Sequence, residues 1–325
     1  MARRNLLSSR NRIILIVVGA IAVGIIARLI FPMGSPVVTV RADDLPGLPN
    51  FTNSFMVLLV VDLILILLAF FATRNMQLVP RGLQNAMELV IESMFNFFCS
   101  INKKWTPAAF PVLATIFLMV ILSNWAGMLP GFGSIGFCTH EEHSSQGALA
   151  INLKDPYLGL LPVQFPLAAE EGKSKYLGCE PGEHLLELFR APTADLNLTL
   201  ALALVAFVTV EYFGFRALGL GYLGKFFNFK GGPISIIVGL FEFISEIARI
   251  PAFMFRLFGN VFAGEVLLIV MIFLLPIALP LPFYLFEVFV GFMQAFIFSV
   301  LTIAFIGLAT EHHGDDHSHA EGAHH

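Results

Sequence analysis

The run ISIIVGLFEFISEIARIPAFMFRLFGNVFAGEVLLIVMIFLL, residues 234–275, decides the fold. It follows Gly231-Gly232-Pro233 and stops before Pro276, so helix breakers frame one continuous apolar stretch. As a helix rising 1.5 Å per residue it measures about 63 Å. A perpendicular crossing of bilayer hydrocarbon needs only about 30 Å. Ordinary tilts average about 20°, so this helix must tilt steeply, bend, or lie partly along the membrane plane. It also carries Glu242, Glu246, Arg249, Arg256 and Glu265. Charge at membrane depth demands a partner or a water-filled path.

The rest of the 325-residue chain agrees. It is 57% hydrophobic and only 13% charged, about half the charge of a soluble domain, which excludes a soluble enzyme. The net charge of −4 argues against a nucleic-acid binder, which needs a basic face. Further membrane segments are predicted at about 13–31, 54–73, 109–129, 192–213 and 283–310, making six in all. The last follows the breaker run Pro276 to Pro282 and pairs with 234–275 as a long hairpin. With the N-terminus inside, the inner segments hold eleven basic residues and the outer ones five. That bias places both termini in the cytoplasm. The run at 13–31 is long for a cleaved signal and reads as an anchor helix.

Residues 80–100 alternate an apolar face (Leu83, Met87, Val90, Met94) with Glu88 and Glu92, and read as an amphipathic helix on the inner surface. The stretch 130–190 becomes an outer insert with eight acidic residues. It is bracketed by Cys138 and Cys179, a candidate disulfide in the compartment that tolerates one. His140 and His143 beside Cys138 hint only weakly at a metal. The His-rich tail 311–325 holds no core-forming residue. No metal site and no cofactor are expected.

On helix 234–275, residues 242, 246, 249, 253, 256 and 260 fall within about 40° of a common line. Glu265 lies about 180° from Arg256 and about 13 Å further along the axis. Glu287 and Gln294, seven apart, share a face of the last segment. In a hairpin, Glu265 and Glu287 meet near the outer end, and Gln294 reaches the depth of Arg256. Two carboxylates in one low-dielectric site raise one of their pKa values, which a proton relay near neutral pH requires. An arginine never releases its proton, so it draws a carboxylate into the ionised form while blocking direct passage. Carboxylates at two levels around a fixed cation suit a path broken into two halves.

Other readings compete. Glu265 and Glu287 can be satisfied structural hydrogen bonders, and Glu242 and Glu246 can be interfacial. Arg249 pairs with one of the latter two at i+3 or i+7. Asp62 reads as paired in packing. Asn124, Asp195 and Asn197 stand at segment ends, where Thr193 or Asp195 can cap the fourth helix.

The stretch Arg256-Leu257-Phe258-Gly259-Asn260-Val261-Phe262-Ala263-Gly264-Glu265 resembles the signature of subunit a of F-type rotary ATP synthases. Four further blocks agree in order. They are Pro80 to Asn85 with Glu88 and Glu92, Ser123-Asn124 ahead of Leu129-Pro130-Gly131, Pro192 to Thr199, and Gln294 to Phe298 with Leu301-Thr302. Together they cover about residues 54–310. The resemblance implies an all-α, multi-pass membrane protein whose long, steeply tilted helical hairpin faces a rotating c-ring. The membrane domain then spans 32–310, with 1–31 an extra anchor and 311–325 a tail.

By the same resemblance, Arg256 is the essential arginine, Glu265 the outer half-channel acid and Gln294 the glutamine near the arginine. Asn260 is the asparagine one turn past it, and Glu242 an acid on the inner side. Glu287 stands where some relatives have histidine. Gly127 stands where some relatives have an acid, so Asp195 must supply that function or it is absent. The implied role is a non-catalytic stator subunit in a bacterial plasma membrane. Its partners are the c-ring, the b subunits of the peripheral stalk and the lipid bilayer, and protons are the transported ion. Protons enter past Asp195, Asn197, Glu287 and Glu265 and leave past Glu242 and Glu246. A stand-alone transporter needs repeats or broken helices in both halves, and an intramembrane enzyme needs histidines or metal ligands at depth. The sequence has neither, and it lacks a P-loop.

Overall fold

The computed structural model describes residues 14–15, 18–26, 42, 44–45, 48–129, 136–139, 151–152, 155–156, 166–167, 175–176, 184–187, 189–225, 233–275 and 280–311. The architecture is all-α. In order come α1 (Asn53–Thr73), α2 (Leu83–Ile101), α3 (Thr106–Gly127), α4 (Leu196–Leu218), α5 (Pro233–Leu274) and α6 (Pro280–Thr310). All but α2 are long and apolar enough to cross a membrane. Residues 14–15 and 18–26 are helical as well, and the rest of the anchor at 13–31 lies outside the described residues. So do Cys179, His140, His143 and the tail beyond 311. Of Cys138 only the backbone is described, in a strand (Gly136–Thr139) antiparallel to His184–Glu187.

Several boundaries differ from expectation. The fourth spanning helix starts at Leu196, not 192, because Pro192–Ala194 forms a 3-10 turn first. The last helix starts at Pro280, inside the run of prolines read as a breaker. Proline is tolerated in a first helical turn, where its missing N–H has no intrahelical partner anyway. Helix α2 starts at Leu83, after Gly82, whose φ of +61° only glycine adopts without strain.

Two compact units make up the chain: Met1–Leu63 with Ile121–Asp195 and Phe258–Met293, and Ile64–Val120 with Leu196–Leu257 and Gln294–His325. Helices α5 and α6 contribute to both. In the first unit, α3 is tied to α6 by polar contacts. Asn124 Nδ2 donates to the Gly291 carbonyl at 3.1 Å, and Trp125 Nε1 to that of Val288 at 3.2 Å. Small residues permit such approach between membrane helices. A Cβ on Gly291 would stand 3.2 Å from that of Asn124, and one on Gly127 only 2.5 Å from that of Ala191. That crowding explains why Gly127 carries no acid: no side chain fits there.

In the second unit, α2 seats Phe98, fully buried, against Thr106, whose hydroxyl donates to the Phe98 carbonyl at 3.0 Å. The apolar face expected on α2 is only partly covered. Met94 and Phe98 are buried, Leu83 and Val90 are exposed, and Gln84 is buried. Gln84 can go under because its amide donates to the Gln77 carbonyl at 3.1 Å and to Glu88 at 2.7 Å. Helices α5 and α6 pack antiparallel here: Phe253 meets Phe298 at 4.8 Å between ring centroids, and Arg249 lies 4.4 Å over Phe305. Along α1, Leu59, Leu63, Ile66 and Phe70 remain exposed. Such a face is stable only against hydrocarbon.

Candidate functional site

The first unit gathers polar side chains between α3, the turn before α4, and the facing parts of α5 and α6. Thr193 donates to Asn124 Oδ1 at 2.6 Å, so its hydroxyl proton serves this link. Asn124 is thereby held at both ends of its amide. Asp195, 8% exposed, lies two residues after Thr193 and just ahead of Leu196. Glu287 on α6 lies directly over Gly264 of α5, and a Cβ at Gly264 would collide with every atom of its carboxylate. The neighbouring Glu265 has Oε2 buried with no hydrogen-bond partner among the described residues. The charge that acts on it is that of Arg190, 3% exposed, which precedes the Pro192–Ala194 turn.

Glu287 thus lies against the residue that precedes Glu265 in the chain. Gly264 makes that possible, since the missing Cβ is the space the Glu287 carboxylate fills. Asn260 belongs to this unit and is half-buried. Arg190 is a site residue that sequence reasoning counted only as a loop cation.

The second unit holds the cation and a second acidic group. Arg256 is exposed on α5 and has no ion pair or hydrogen bond among the described residues. Gln294, 4% exposed, begins this unit's part of α6, and the Phe253–Phe298 pairing brings residues 294–295 across from Arg256. Asn197 is exposed at the start of α4, and Glu242 is half-buried on α5. Glu246 is 3% exposed and ion-paired with Arg249 one turn along, which settles the i+3 alternative. That burial argues against the interfacial reading of Glu246.

Glu246 also meets a residue the sequence reading passed over. Glu211 of α4 is in hydrogen-bond contact with it, and accepts a hydrogen bond from the Tyr222 hydroxyl at 3.3 Å. The signal was present: Glu211 is the only acid within the span Leu196–Leu218. An ionisable residue inside a spanning helix is a candidate by default.

Spanning helices with ionisable side chains buried among them define the class: an all-α, multi-pass membrane protein. The family model described as ATP synthase A chain matches residues 54–307. Among curated relatives, ATP synthase subunit a of Gloeobacter violaceus is 32% identical over 259 residues, 79% of this chain and 83% of its own length. That of Campylobacter jejuni subsp. doylei is 32% identical over 255 residues, 77% and 86%. That of a Geobacter species is 30% identical over 251 residues, 76% and 83%. The chain belongs to the ATP synthase A chain family, and is a non-catalytic subunit of the membrane sector with a role in proton translocation.

Proposed function

We propose that this subunit is the stator element that conducts protons through two offset half-channels to and from carboxylates on a rotating c-ring. Protons enter from outside past Asp195, Asn197 and Asn124, then Glu287 and Glu265, and neutralise a ring carboxylate. After nearly a full turn they leave past Glu242 and Glu246 to the cytoplasm. Arg256 keeps the two halves apart and favours ionisation of each arriving ring carboxylate, with Gln294 and Asn260 flanking it. The termini face the cytoplasm of a bacterial inner membrane, and the b subunits of the peripheral stalk hold the subunit against rotation. Each charge crossing yields about 2.3 kcal/mol per 100 mV, so several protons drive each ATP.

The observation that carries this reading is the exposed Arg256, unpaired among the described residues, near the middle of the 36-residue span Ile237–Ile272. A cation at bilayer depth costs at least about 2.5 kcal/mol, and far more without relief. Mid-helix, it is too far from either end to reach water along its stem. A group outside this chain must compensate it, and a carboxylate passing on a rotor does so transiently. Arg256→Ala should abolish ATP-driven proton pumping in inverted membrane vesicles while ATP hydrolysis by the soluble sector continues. Coupled pumping retained by that variant would remove the separator role.

A further inference from the structure

The acidic pair in the second unit is not accounted for by an arginine and its partner. Glu211 on α4 and Glu246 on α5 touch through their carboxyl groups. A carboxylate only accepts hydrogen bonds, so two carboxyls in hydrogen-bond contact require one proton between them. The local charge then closes. Two carboxyls sharing one proton carry a single negative charge, and Arg249, paired to Glu246, carries the matching positive one. Among the described residues, Tyr222 is the further ionisable side chain that acts on Glu211.

Tyr222 is fully buried in the short turn Gly219–Lys225, with its ring 4.9 Å from that of Phe215. Gly214 makes its seat: a Cβ there would stand 2.8 Å from the tyrosine ring. Burial, together with the charges of Glu246 and Glu211, holds the Tyr222 phenol above its ordinary pKa. It therefore keeps its proton and stays a donor to Glu211. The guanidinium of Arg249 is fixed in turn against Phe305. Each member of the cluster is held in place by a neighbour that does not titrate near neutral pH.

We propose that Glu211 and Glu246 form a proton-sharing dyad in the proton's exit path, with Tyr222 positioning Glu211 and Arg249 positioning Glu246. The inference rests on the half-channel reading above and adds Glu211 and Tyr222 to it. One proton arrives from the ring carboxylate and joins the proton already shared. One proton then leaves to cytoplasmic water, and the dyad returns to its singly protonated state. Tyr222 and Arg249 neither gain nor lose a proton. The dyad lies by the end of α4 that leads into Arg216 and the turn at 219–225, the side that the basic loops assign to the cytoplasm.

The test uses the assembled complex in inverted vesicles. The soluble sector is stripped off, and passive proton flux is read under a potassium diffusion potential. Subunit content by immunoblot and rebinding of the soluble sector report assembly. Glu211→Gln keeps the contact geometry and removes the ionisable group, so flux should fall about tenfold at normal assembly, less than the roughly hundredfold or more of a sole proton-transfer group because Glu246 remains. Glu211→Asp should keep flux within about twofold of the native complex, and Tyr222→Phe should lower it about fivefold.

Native flux in Glu211→Gln overturns the dyad. Should Glu211→Gln fail to assemble, the other two variants decide: reduced flux in Tyr222→Phe with near-native Glu211→Asp supports it, and native flux in Tyr222→Phe overturns it. Arg256→Ala run in parallel separates the two claims. Lost coupling there with unimpaired Glu211→Gln rejects the dyad alone. Retained coupling rejects the separator role, whatever Glu211→Gln does.

Discussion

Gly264→Ala changes one methyl group, and the structure says where that methyl goes. The new Cβ would occupy the space now filled by the Glu287 carboxylate. Two outcomes compete. If α5 and α6 separate, the overpacking costs about 1–3 kcal/mol. If the Glu287 side chain swings away instead, leaving its preferred rotamer costs about 0.5–1.5 kcal/mol. Against either, alanine favours the helix over glycine by about 0.8–1 kcal/mol. The colliding atoms are the far end of a flexible side chain, so the second outcome is the cheaper one. Its net effect on stability is then close to zero, within about 0.7 kcal/mol.

Function should not escape so lightly. A carboxylate moved by about 1 Å from its working position can cost up to about a hundredfold in rate. Gly264→Ala should therefore melt in detergent within a few degrees of the native subunit while ATP-driven acidification of inverted vesicles slows about tenfold or more. Shortening the obstructed side chain should restore it: Gly264→Ala with Glu287→Asp withdraws the carboxylate by about one bond, roughly 1.5 Å. Native pumping by Gly264→Ala alone would refute the reasoning, as would a double variant no better than the single one.

Other consequences can be checked alongside. Arg249→Met strips the buried Glu246 of its counter-ion and should destabilise the subunit by about 3–5 kcal/mol, read as a large drop in detergent melting temperature; a drop of only a degree or two would show that the ion pair is solvated. Asn124→Leu removes the donor to Gly291 and leaves the buried Thr193 hydroxyl without its acceptor, at a cost of about 2–4 kcal/mol in the same assay. An unchanged melting temperature would mean that the Thr193–Asn124–Gly291 chain holds nothing together.

Much of this protein was legible before any fold was known. Helix lengths, the all-α class and the long hairpin follow from local properties: uninterrupted apolar runs and the positions of proline and glycine. The charged residues of α5 were equally legible, because ionisable groups in such a setting are few and costly. One boundary error fell where proline plays two roles: read as a breaker throughout 276–282, it opens the last helix at Pro280.

Pairings across elements are another matter. That Thr193 serves Asn124, that Glu287 rests on Gly264, and that Glu246 meets Glu211 depend on which faces meet and at what register. One residue of slip along a helix turns a side chain by about 100°, enough to trade every one of these partners for lipid. Sequence alone therefore named the groups that must find company inside the membrane. Only the packed helices decided which group keeps company with which, because partner choice is set by backbone approach, and here glycines 127, 214, 264 and 291 open that approach.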